Sequence, residues 1–109
     1  SYAFEGQVAV EDERAIMKSG SALMLSFQGS KVFLVMNPGS AGAVSKVRIL
    51  LDDKPIAQEV SGKDVINGVV RVDSDRLYEL VDFQGQNTKA TLKIISEEGE
   101  TEVYAFTFA

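Results

Sequence analysis

Apolar residues fall at every second position through much of the chain, and the rhythm breaks only at turn-forming residues. Leu23, Leu25 and Phe27 alternate with Met24 and Ser26, the period of a strand with one buried face. After a turn at Gln28-Gly29-Ser30, the run from Lys31 to Met36 is almost continuously apolar, as expected of a strand buried on both faces. Asn37-Pro38-Gly39-Ser40-Ala41-Gly42 reads as a loop. Alternation resumes from Val44 to Asp52, with Val47, Ile49 and Leu51 on one face and Arg48 and Leu50 on the other. Asp52-Asp53-Lys54-Pro55 predicts a hairpin turn, because Asp accepts local backbone hydrogen bonds and Pro presets φ. Ile56 to Val60 is then the short return strand.

Val65-Ile66 runs into Asn67-Gly68, a dipeptide suited to the positive φ of a tight turn, and Val69 to Val72 is the next strand. Asp73-Ser74-Asp75 and Gln84-Gly85-Gln86-Asn87 are turns on either side of a strand from Leu77 to Phe83. Thr88 to Ile95 places Ala90, Leu92 and Ile94 inward, Glu97-Glu98-Gly99-Glu100 is a charged hairpin tip, and Thr101 to Phe108 puts Tyr104, Phe106 and Phe108 on one face. Tyr2-Ala3-Phe4 and Ile16-Met17 read as shorter strands, and Glu11-Asp12-Glu13-Arg14 as a solvated turn. The sum is about nine short strands with turn signals roughly every 8–12 residues, the mark of an all-β antiparallel sandwich or barrel. The predicted core is Leu23, Leu25, Phe27, Phe33, Val35, Val47, Ile49, Leu51, Leu77, Leu80, Ala90, Leu92, Ile94, Tyr104, Phe106 and Phe108.

Composition narrows the chemistry. The 109 residues fit a single domain and contain no Cys and no His. That excludes a thiol nucleophile, a CxxC redox pair, a Ser-His-Asp triad, and zinc sites built on Cys or His. With 11 Lys+Arg against 16 Asp+Glu the net charge is −5, which argues against a nucleic-acid partner. The longest apolar run, Val32 to Met36, is far short of the ~20 residues of a membrane span. No signal peptide is evident, and Ser1 in place of an initiator Met predicts a processed product or a domain cut from a larger protein.

Candidate binding chemistry centres on five residues. Tyr78 and Phe83 are the best candidates for a partly exposed ring. The Tyr78 hydroxyl either reaches a polar ligand or bonds a loop carbonyl while the ring packs on the sheet. Arg48, Arg71 and Arg76 either line one face and grip an anionic or hydroxyl-rich group, or form cross-strand pairs with Asp and Glu. The paired acids at 52–53 and 73–75 are explained by turn chemistry without calcium. Gly39-Ser40-Ala41-Gly42 lacks the Lys-Ser/Thr end of a phosphate loop. No catalytic residue, metal site or cofactor is predicted.

Several segments together resemble a known family. They are Lys31 to Met36, Val47 to Pro55, Lys63-Asp64-Val65, Arg76-Leu77-Tyr78-Glu79-Leu80-Val81, and Gly99 with Tyr104-Ala105-Phe106-Thr107-Phe108. In this order they resemble the C-terminal domain of DipZ-type thioredoxin-like proteins, linked to cytochrome c biogenesis and thiol-disulfide handling. The resemblance implies a jelly-roll β-sandwich similar to carbohydrate-binding modules, non-catalytic, without a cofactor, and placed outside the cytoplasmic membrane. It implies an upstream thioredoxin-fold domain that holds the redox cysteines. Two roles follow for the module. It docks a protein partner or a glycan near the redox domain, or it packs on that domain to shield and orient it.

Overall fold

The computed structural model describes residues 2–6, 8–11, 14–39 and 43–109, with backbone alone at Tyr2 and Val8–Glu11. Eleven strands are found among the described residues: β1 (Tyr2–Glu5), β2 (Val8–Glu11), β3 (Arg14–Met17), β4 (Ala22–Gly29), β5 (Lys31–Pro38), β6 (Ser45–Leu51), β7 (Lys54–Pro55), β8 (Val69–Val72), β9 (Arg76–Asp82), β10 (Thr88–Glu98) and β11 (Thr101–Phe108). They form two antiparallel sheets. One has six strands in the order β1-β4-β10-β6-β7, with β8 also paired to β6; the other has five, in the order β2-β3-β11-β5-β9. The sandwich expected from turn spacing is the observed architecture. Residues 12–13 and 40–42, within two expected turns, lie outside the described residues. Among those described, no helix is long and apolar enough to cross a membrane.

From β3 to β6 and again from β8 to β11 the chain changes sheet at each step. The acidic segment after β10 is therefore a crossing between sheets and not a hairpin tip. Gly99, with φ 73°, turns the corner, and the Ser96 hydroxyl donates to its carbonyl at 3.1 Å. Behind it the buried hydroxyls of Ser45 and Thr101 share a 2.7 Å hydrogen bond. Among the described residues no buried side-chain N or O lacks a partner, as a low-dielectric interior requires.

Strict alternation is realised in the six-stranded sheet. Leu23, Leu25, Val47, Ile49, Leu92 and Ile94 are all buried, and cross-strand partners agree: Leu92 opposes both Leu25 and Leu51, and Ile94 opposes both Leu23 and Ile49. The five-stranded sheet departs from expectation. On β5 the fully buried residues are Val32, Leu34 and Met36, while Phe33 and Val35 turn outward and are half-buried. Both parities of this run are apolar, so periodicity could not choose between them.

On β9 and β11 the cause is an inserted residue. The β5–β9 register slips between Val32 and Phe33, so Val81, Leu80 and Tyr78 are all buried and Leu77 is 45% exposed. The β5–β11 register slips between Val103 and Phe106. Val103 and Phe106 then both point inward, and Tyr104 faces out at 36% exposure. A bulge restarts the period of two and exchanges the faces. Phe108 keeps the inner parity, opposite Val32, but lies at the open end of the sandwich and is 43% exposed.

Two further differences lie in the loops. Asp52 and Asp53 take positive φ (51° and 66°) and make the expected turn, with Leu51 opposing Lys54. The return strand stops at Pro55, and Gln58–Val60 form a 3-10 turn instead of a strand over Ile56–Val60. Val8–Glu11, unassigned by periodicity, adds an edge strand on β3.

These placements give opposite stability expectations for two leucines that periodicity put in one core. Leu92→Ala, at a fully buried position, should cost about 2–5 kcal/mol in urea unfolding. Leu77→Ala, on the outer face, should stay within about 0.5 kcal/mol of the parent.

Candidate functional site

The crossing from β8 to β9 builds a cavity at one edge of the sandwich. Its walls are β8, the start of β9, and the segment 61–68 that folds between them. Lys63, Asp64, Ile66, Val69, Arg71 and Arg76 line about 330 Å³.

The segment is fixed by a close approach. Gly62 donates its N–H to the Leu80 carbonyl at 3.0 Å, and Asp64 donates its own to the Glu79 carbonyl at 3.3 Å. A Cβ at Gly62 would sit 2.3 Å from the Glu79 oxygen, so only glycine lets the backbone come this near. Glu79, itself buried, accepts the Lys63 N–H at 2.8 Å and lies 3.6 Å from the Lys31 ammonium. Further on, Ile66 and Val69 close a tight turn through Asn67 (φ 51°) and Gly68 (φ 78°). This leaves Ile66 71% exposed at the mouth of the cavity.

Asp64 is the hub. One carboxylate oxygen accepts from Arg76 at 3.0 Å and the other from the Glu79 N–H at 2.8 Å. Partial burial pushes this carboxyl up, but the hydrogen bonds from Arg76 and Glu79 and the charges of Arg76 and Lys63 outweigh it and hold it below the ordinary aspartate value. The same bond holds Arg76 firmly charged. The Arg76 guanidinium lies 3.9 Å from the centre of the Tyr78 ring and donates to the Leu77 carbonyl at 3.1 Å. Cation–π contact, ion pair and backbone bond together give it one orientation.

Of the five candidate residues, Arg71 and Arg76 come together at this cavity, from different sheets. Arg48 is near but not in its lining. Opposite Val69 on β6, it pairs with Glu97, behind the Gly68 turn. For Tyr78 the second alternative holds: the ring is not partly exposed but fully buried against the sheet. Its hydroxyl donates to the Ser74 carbonyl at 2.7 Å and accepts the N–H groups of Asp73 and Ser74, each at 3.2 Å. It therefore pins the crossing loop and supports Arg76 from below. Phe83 stands apart, half-buried and stacked on Phe27 with ring centres 6.1 Å apart. Periodicity missed Lys63, Asp64, Ile66 and Val69 as site residues. The available signals were Gly62 beside a Lys-Asp pair and the Asn-Gly turn after Ile66.

Two other surfaces stand out. On the outside of the six-stranded sheet, Ser26, Gln28, Asp52, Lys89 and Thr91 edge an open groove of about 570 Å³. On the outside of the five-stranded sheet, Tyr104, Val35 and Leu77 make an apolar row across three strands, with Phe33 beside it. The Tyr104 ring is anchored there, donating its hydroxyl to Glu102 at 2.8 Å and accepting from Asn37 at 2.9 Å.

The Asp64 clamp predicts a pH signature. A carboxyl with a folded pKa below its unfolded value adds stability that is complete above about pH 4 and is lost as pH falls through the lower folded pKa. Asp64→Asn should therefore lower the urea midpoint at pH 7. The gap between the two proteins should close as both are titrated below about pH 4.

No curated protein matches the chain. Solved structures share the fold at low identity. A family two carbohydrate esterase from Cellvibrio japonicus matches at TM-score 0.75 and 17% identity, over 98% of this chain and 30% of the esterase. A family two carbohydrate esterase from Clostridium thermocellum, in complex with cellohexaose, matches at 0.75 and 17% over 100% and 31%. An acetyl xylan esterase from the rumen bacterium Butyrivibrio proteoclasticus matches at 0.71 and 10% over 96% and 28%. The chain thus spans less than a third of each of these proteins. The family model described as thioredoxin like C-terminal domain matches residues 1–109. A sandwich without Cys or His, matched from its first residue to its last, belongs to the family of thioredoxin-like C-terminal domains.

Proposed function

We propose that this domain is a non-catalytic accessory module of an extracytoplasmic thioredoxin-like protein. Its outer five-stranded face packs on the thioredoxin-fold domain of the same protein and orients it. The observation that carries this reading is the apolar row of Tyr104, Val35 and Leu77 with Phe33 beside it, set on the outside of a sandwich that has its own core. Exposed apolar side chains grouped on one rigid face are the material of interdomain contacts. Tyr104, with its hydroxyl held by Asn37 and Glu102, presents its ring with little conformational freedom left to lose. The description of the matched family, thioredoxin like C-terminal domain, supports a thioredoxin-fold neighbour as the occupant.

Catalysis is assigned to that other domain. This chain has neither thiol nor imidazole, and its Asp64 carboxylate is held in an ion pair with Arg76. The extracytoplasmic setting and the link to cytochrome c biogenesis rest on the DipZ-type resemblance. A second reading, docking of a glycan near the redox domain, is favoured by the cavity beside Arg71 and Arg76 and by the fold shared with an esterase solved with cellohexaose.

Calorimetry of the joined thioredoxin-fold and sandwich domains tests the packing. Each kcal/mol of docking should raise the melting temperature of the sandwich by roughly 4–8 °C over the isolated domain. Leu77→Asp should remove the rise while changing the isolated domain by no more than about 0.5 kcal/mol. Equal melting temperatures with and without the neighbour would sink the proposal.

A further inference from the structure

We infer that the cavity between β8, β9 and segment 61–68 is a binding site for a carboxylated sugar, a uronic acid unit of an acidic glycan. This rests on the glycan reading above and deepens it, and it uses a different face from the packing row.

The first argument is charge. The chain carries a net −5, yet three cations, Lys63, Arg71 and Arg76, line this cavity against one acid, Asp64. Counting Asp73, which pairs with Arg71 at 2.9 Å, three cations against two acids still leave an excess of one positive charge. The Lys63 ammonium has no ion pair among the described residues. Arg71 spends one terminal nitrogen on Asp73 and is 64% exposed, so most of its five donors face solvent. A guanidinium fork and a free ammonium are the groups that hold a carboxylate.

The second is the mixture of donors and acceptors. A sugar hydroxyl both donates and accepts. Arg76 and Asp64 stand side by side as one donor–acceptor unit, and each Asp64 oxygen keeps a further lone pair beyond its single bond. The unit is already rigid, held by the Tyr78 ring and the Glu79 N–H, so a ligand orders little on binding. Ile66 and Val69 supply an apolar wall for the C–H face of a pyranose. The volume, about 330 Å³, lies at the small end of the roughly 300–1,000 Å³ range of small-molecule sites.

The third argument separates a sugar from an acidic peptide. An extended peptide gains affinity by adding to an open strand edge. At this wall the edge of β9 is already taken, because Gly62 and Asp64 bond to Leu80 and Glu79. The side-chain donors and acceptors around this short cavity suit a ring bearing hydroxyls and a carboxylate.

The test is an amide NMR titration of this chain with three probes: trigalacturonic acid, cellotriose and tetraglutamate. Trigalacturonic acid should shift the amides of Lys63, Asp64, Ile66, Arg71 and Arg76, and added salt should weaken the response. Arg71→Ala, at an exposed position, should leave the fold intact and weaken binding about tenfold or more. Lys63→Ala should weaken it without moving the melting temperature. Cellotriose acting as well as the acid would overturn the requirement for a carboxylate. Tighter binding of tetraglutamate would replace the sugar by a peptide. Silence from all three at millimolar concentration would remove the site and leave the packing role, read from calorimetry on the outer face of the five-stranded sheet, as it stands.

Discussion

One close contact organises the cavity edge of this domain: the approach of Gly62 to the backbone of β9. The φ of Gly62 is ordinary, so the constraint is space and not conformation. With no side chain in the way, segment 61–64 runs against the last strand of the five-stranded sheet and bonds to Leu80 and Glu79. An open strand edge is a template for unwanted pairing, and this segment occupies part of it. The same approach carries Asp64 to the Glu79 N–H and Lys63 to the Glu79 carboxylate. Glu79 is buried, and its charge is tolerated because an N–H and the Lys31 ammonium face it. Edge protection, the wall of the cavity and the seat of Arg76 therefore share one origin.

The sandwich was legible where only one parity of a strand is apolar. β4, β6 and β10 meet that condition, and their inner residues pair as the alternation requires. It was not legible on β5, where Val32 to Met36 is apolar on both parities. There the choice is made by neighbours, since Val32 must meet Val81 and Leu34 must meet Tyr78. On β9 and β11 the local pattern pointed to the wrong faces for Leu77 and Tyr104 because bulges leave no mark in composition. Each shift moved a residue outward, and the two then met across β5 at Val35. The outer apolar row is thus a product of the two irregularities that periodicity could not see.

The site was partly legible for a similar reason. Arg71 and Arg76 stood out as cations in strand patterns, but their meeting depends on a sheet crossing and not on sequence distance. Lys63, Asp64 and Ile66 looked like ordinary loop residues. Their placement comes from the fold of 61–68 against β9, and Gly62 and the Asn67-Gly68 turn were the residues whose types hinted at it. Tyr78 shows how a hydroxyl can mislead. Its three hydrogen bonds all go to the 73–74 backbone, so it acts on the surface only through what it holds in place.

The two arginines of the cavity differ in kind, and the difference matters for recognition. Arg76 is fixed by Asp64, by the Leu77 carbonyl and by the Tyr78 ring, and breaking that set would leave the partly buried Asp64 carboxylate without its cation. Among the described residues Arg71 is tied only to Asp73, by a pair exposed on both sides. Such pairs are worth about 0–1 kcal/mol, so a ligand anion can take the place of Asp73 at little cost. A rigid cation sets the position of the ligand, and an adjustable one closes on its charge. In the site we propose, specificity lies in the Arg76–Asp64 unit, with its donor and acceptor set in one geometry, while Arg71 and Lys63 contribute the salt-sensitive part of the attraction.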